Sequence, residues 1–156
     1  MNGKIVGGGI VLISVVAGIA VYWLQEYAYY RDAAFTPGTE IMLTPIESDV
    51  PEPILAEAVT GIDADSSPLR FRARFKTPMT QAMLSETYRA YDGAEPLIAP
   101  SWFDCFDAAE IGAALEKGEA LAFLSQSGIA PDVDRVVAVF ADGRAYAWHQ
   151  LAAGVE

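Results

Sequence analysis

Cysteine and histidine each occur once in the 156 residues, as Cys105 and His149. A single cysteine closes no disulfide within the chain and builds no cysteine-rich zinc site, so thiols reveal neither the redox compartment nor a structural metal. A Cys–His nucleophilic pair is formally available, but no orienting motif surrounds either residue. No phosphate-binding loop is present, because the one run of glycines, Gly7 to Gly9, lies inside an apolar stretch. The Asp63-Ala64-Asp65 spacing lacks the further oxygens and closing glutamate of a calcium loop and reads as a capped turn. Positive charge is scarce: ten Lys and Arg against 21 Asp and Glu give a formal charge of −11. Such a chain repels nucleic acid and anionic headgroups. The expectations are therefore no catalytic residue, no cofactor and no resident metal.

What is abundant is apolar sequence, and much of it is concentrated at the start. Ile5 to Leu24 is uncharged throughout. At about 1.5 Å per residue, that run matches the roughly 30 Å core of a bilayer. A cleavable signal peptide would have a shorter apolar region and a small-residue cleavage site. Here the run ends instead in Tyr22, Trp23, Tyr27, Tyr29 and Tyr30, rings suited to the headgroup layer. Residues 1–32 thus read as an uncleaved transmembrane anchor. Lys4 and Arg31 balance Glu26 and Asp32 there, so the whole −11 falls on residues 33–156. The α-amine and Lys4 precede the span without an acid, which puts the N-terminus in the cytoplasm and the remainder across the membrane. In a bacterium with two membranes this is an inner-membrane protein with a periplasmic domain. At 100° per residue Gly3, Gly7, Ser14, Gly18 and Gln25 project within about 60° of one another, a small-residue face on which another membrane helix can pack closely.

Residues 33–156 predict one acidic α+β domain, with a mainly antiparallel sheet of five or six strands and two helices. Residues 40–46 and 54–60 are expected as short strands at an edge, given the flanking prolines. Residues 69–76 alternate strictly, with Leu69, Phe71, Ala73 and Phe75 opposite Arg70, Arg72, Arg74 and Lys76. That predicts a half-buried strand with a basic outer face. Thr77-Pro78 predicts the start of a helix over 78–90, whose apolar face includes Met79 and Met83. Asp107 and Glu110 form a capping box for Ala108–Lys117, which Gly118 ends. Residues 120–124, 133–141 and 144–151 are expected as strands, the last two joined by an Asp142-Gly143 turn.

Three runs, IDADSSPLRFRARF, WFDCFDAAEIGAALE and DRVVAVFADGRAYAWHQ, together with the MNGKIVGGG start, resemble an uncharacterised family of short single-span membrane proteins from alphaproteobacteria related to Rhodobacter and Paracoccus. A histidine kinase label attaches to similar sequences. It does not suit this chain, which has no ATP-binding motif and has His149 in a strand. The resemblance implies a cysteine at the position of Arg74 and further cysteines beyond Gln150. This chain has neither, so no family disulfide carries over.

The expected role is a non-catalytic accessory subunit of an inner-membrane respiratory complex, docked through its helix against other transmembrane subunits. A basic cytochrome c is a further expected partner, steered by the acidic domain. Trp102, Phe103, Trp148, Arg70, Arg72 and Arg74 are the candidate interface residues of the domain. The alternative is a membrane-tethered assembly factor or chaperone for a metal-containing complex, for which Cys105, His149, Met79 and Met83 are the only soft ligands.

Overall fold

The structure, a computed structural model, describes residues 2–154. Helix α1, Gly3–Glu26, stands clear of the rest and buries no residue. It is the one helix among the described residues that is long and apolar enough to cross a membrane. After three intervening residues the chain enters a six-stranded antiparallel sheet. Its strands are β1 (Tyr30–Asp32), β4 (Glu57–Ala64), β5 (Arg72–Lys76), β6 (Ala120–Ala130), β7 (Val133–Phe140) and β8 (Arg144–Leu151). They lie in the order β1-β4-β5-β8-β7-β6, while β2 (Met42–Leu43) and β3 (Glu52–Pro53) make a separate small hairpin. One row of the register crosses the whole sheet through Asp32, Ile62, Arg72, Trp148, Val136 and Leu124.

Both faces of this sheet are covered. Strand side chains alternate in direction, so Phe71, Ala73, Phe75, Val137, Val139, Ala145 and Ala147 pack on one side with Ile41, Leu43, Ile54 and Leu84. Val136, Ala138, Phe140, Tyr146 and Trp148 pack on the other with Phe106, Ile111 and Ala114. Helix α2 (Gln81–Thr87) and residues 33–56 thus cover the first face, and helix α3 (Ala108–Lys117) and the 91–107 segment cover the second.

Helix α3 matches its expected bounds because its signals are local. The Asp107 carboxylate accepts hydrogen bonds from the Ala109 and Glu110 N–H groups, and Gly118 turns left-handed at φ +72°. Likewise Gly143, at φ +86°, sits so close to Thr77 that a Cβ would meet its carbonyl oxygen at 2.7 Å. That approach is open only to glycine.

Several expected bounds need correction, beginning with the edge strand over 54–60, which instead runs Glu57–Ala64 and is paired on both sides, by β1 and β5. The α2 cap is Thr80, not Thr77, and the helix ends at Thr87 rather than Ala90. Residues 88–91 turn extended because they hydrogen-bond to β6: Leu124 N–H donates to the Arg89 carbonyl, and Tyr91 N–H to that of Ala122. Residues 68–70 form a 3-10 turn that delays β5 to Arg72. β6 runs on to Ala130 through two bulges, while the strand expected over 40–46 shrinks to Met42–Leu43.

Candidate interface at the junction of helix and domain

The end of α1 is fastened to the domain by a loop distant in sequence. The Glu26 carboxylate accepts hydrogen bonds from Ser101 N–H at 2.9 Å and from Ser101 Oγ at 2.8 Å. A carboxylate at a helix C-terminus is disfavoured by the helix dipole, and the two Ser101 donors offset that. Trp102 Nε1–H donates to the Glu26 carbonyl oxygen, one of those the helix end leaves without an intrahelical partner. Tyr27 stacks on the Trp102 indole with centroids 6.3 Å apart, and Tyr30 meets it edge-on at 5.8 Å. The Arg70 guanidinium lies 5.2 Å from the Tyr30 ring centroid, and Arg31 pairs with Asp65.

The same loop is held from the sheet side by Arg72. This arginine, only 4% exposed, donates to the carbonyls of Leu69, Phe71, Leu97 and Ile98, and its guanidinium lies over the Phe106 ring. Burial pulls it down to about 10, so it stays cationic at neutral pH. The expected basic outer face of β5 is therefore broken in the middle. Arg72 is an internal tie, while Arg74 and Lys76 are exposed. Trp148 is corrected too: at 0% exposure, its indole donates to Gln150 within the second core and offers nothing to a partner. Trp102, 39% exposed, and the half-buried Phe103 remain at the surface.

Along α1 the face of Gly3, Gly7, Ser14, Gly18 and Gln25 is open. A Cβ built on Gly3, Gly7 or Gly18 meets nothing within 4 Å, and the Ser14 hydroxyl bonds back to the Ile10 carbonyl.

The soft ligands do not converge. Met79 packs against the first core and the Met83 side chain is exposed, whereas Cys105 precedes Phe106 on the opposite face. Both nitrogens of His149 are engaged: Nδ1 bonds the Pro68 carbonyl at 2.6 Å, and Nε2 accepts from Arg135 Nε at 2.9 Å. The ring stacks on Phe71. Burial, with the Arg135 charge beside it, pushes the imidazole down to about 4, so it sits neutral between its partners. Burial raises the half-buried Cys105 thiol, partly opposed by the Arg74 charge. Neither residue is prepared as a nucleophile or a base.

A groove of about 600 Å³ lies between α3, the 91–96 loop and β6. Its titratable lining is Tyr91, Asp92, Glu95 and Glu116, and the Tyr91 hydroxyl is committed to Asp134 at 3.0 Å.

Sequence reasoning missed Glu26 and Ser101. The signal was present in Glu26, an acid closing the long apolar run with no base within helical reach. Its partner lies 75 residues away, beyond any local pattern.

No curated protein and no solved structure matches the chain. A family model does match residues 41–156, a stretch that begins after the helix and holds nearly all of the folded domain. On that match the chain belongs to a family of unknown function, DUF6446.

Proposed function

We propose that this protein is a single-span, non-catalytic accessory subunit of a bacterial inner-membrane complex, with its N-terminus in the cytoplasm and its acidic domain in the periplasm. The observation that carries the reading is α1. No residue of α1 is buried, and the space beside Gly3, Gly7 and Gly18 on its small-residue face is empty, so a second helix backbone can approach closely. The junction at Glu26 supports it, since a helix fastened to its domain can hold that domain in a set orientation beside a larger assembly. A respiratory complex is the most specific form of the proposal. There the −11 of the domain would raise the encounter rate of a basic cytochrome c and make it fall with salt.

The test is to tag the C-terminus, extract the membranes with mild detergent and identify what copurifies. Gly7→Leu and Gly18→Leu are expected to abolish copurification at least tenfold while the circular dichroism of the domain is unchanged. A monodisperse chain alone, or indifference to both substitutions, overturns the docking reading.

A further inference from the structure

We infer that residues 97–102 form a second, non-spanning membrane contact, in which Ile98 and Trp102 seat in the headgroup layer of the leaflet from which α1 emerges. This rests on the reading that α1 spans a bilayer and goes beyond it, since it assigns the domain itself a lipid-facing surface.

Three observations carry it. The first is depth. The Trp102 indole donates to the carbonyl of Glu26, the last residue of α1, and stacks on Tyr27. Trp102 is therefore level with the aromatic end of the helix, where Tyr22 and Trp23 lie within one turn below. Indoles and phenols concentrate at that level of a bilayer, with the ring in the acyl boundary and the polar edge among headgroups.

The second is composition. In a domain of charge −11, the run Leu97-Ile98-Ala99-Pro100-Ser101-Trp102-Phe103 has no charged residue. Ile98 is 84% exposed, more than any other exposed large hydrophobic side chain, those of α1 included. A charge-free loop carrying an exposed isoleucine and tryptophan is suited to a lipid boundary and poorly suited to water.

The third is restraint. Arg72 holds the Leu97 and Ile98 carbonyls from the sheet side, and Glu26 holds Ser101 from the helix side. The loop is thus presented in a fixed shape at the helix exit. Of its charged neighbours, Arg31 pairs with Asp65, Arg72 holds carbonyls and Asp107 caps α3, which leaves the exposed Asp104 as the carboxylate beside the loop, placed to face the cationic choline layer of a zwitterionic headgroup. The acidic surface elsewhere favours zwitterionic over anionic lipid.

The experiment uses the full chain reconstituted in phosphatidylcholine vesicles, with no other protein present. Nitroxide labels are placed singly at Ile98→Cys, Val11→Cys and Lys76→Cys in a Cys105→Ser background, Lys76 lying at the opposite end of β5. Collision with oxygen and with a water-soluble nickel chelate reports depth. The label at 98 is expected to favour oxygen severalfold more than the label at 76 does, and less than the label at 11. As a second readout with native Cys105, emission from Trp102 in a Trp23→Phe chain is expected to be quenched more by a shallow than by a deep doxyl lipid, the buried Trp148 giving a constant background. A deep label at 11 with the label at 98 as aqueous as that at 76 overturns the loop contact and leaves the span standing, with Ile98 free for a protein partner. An aqueous label at 11 overturns the span and the loop contact together.

Discussion

Helix α1 and strands β7 and β8 are all rich in valine, alanine and aromatics, and they meet opposite fates. In β8 every residue from Ala145 to Gln150 is buried, including His149 and Gln150, while in α1 no residue is. Hydropathy alone therefore does not decide burial in this chain; the availability of a covering layer does. The strands have two layers, one under each face. The helix is apolar around its whole circumference, the composition of a segment whose neighbours are lipid or other helices. The glycines that would weaken a soluble helix make one side of it suitable for close contact.

The sharpest way to break the contrast is to remove a large ring from each region. Trp148→Ala leaves a cavity in the second core and is expected to cost about 4 kcal/mol. Trp23→Ala should change the stability of the domain by less than about 0.5 kcal/mol. Unfolding of the full chain in mild detergent, followed by near-ultraviolet circular dichroism, compares them. Equal losses would mean that the helix and the sheet form one cooperative core.

A smaller effect comes from the tie between the regions. Arg72→Met keeps the apolar stem but removes donors from four carbonyls, and about 3 kcal/mol is expected to be lost. Limited proteolysis is expected to cut within 97–102 in the variant and to spare that loop in the native chain. Protection of that loop in the variant would assign its order to Glu26 alone.

The third concerns pH. His149 is neutral in the fold and is pushed down to about 4, whereas an unfolded histidine titrates near about 6.5. The unfolded state therefore binds the proton first. The contribution of the buried imidazole is present above about pH 6.5 and is lost as pH falls toward 4. Between pH 6.5 and 5 the native chain should lose about 2 kcal/mol more than His149→Gln, read from urea midpoints at each pH. Parallel pH profiles would show that the Arg135 and Pro68 contacts do not hold the ring neutral.

These outcomes turn on groups of unequal legibility in the sequence. Helix α3 and the β7–β8 hairpin were readable because Asp107, Gly118 and Gly143 act on backbone within a few residues of themselves. The apolar character of α1 was readable for the same reason. The start of α2 was not, because Thr77 and Thr80 are both acceptable caps. The choice falls to Thr80 once Thr77 N–H has paired with the Gly143 carbonyl. The alternation around Arg72 correctly gave a strand and incorrectly gave a solvated face, since a four-carbonyl nest for one guanidinium is assembled from residues up to 26 positions away. Trp148 was misplaced for a related reason. Nothing in its own strand announces the layer that α3 and the 91–107 segment lay over it.

Only Tyr27, Ala28 and Tyr29 separate the end of α1 from the first strand of the sheet. Fully extended, three residues reach about 10 Å. In a bilayer the domain is therefore not cargo on a string. Its search is two-dimensional, confined to a shell one domain deep over the membrane. Any rotation of α1 about its long axis turns the sheet with it, so a helix seated against a neighbour sets the azimuth of every surface above.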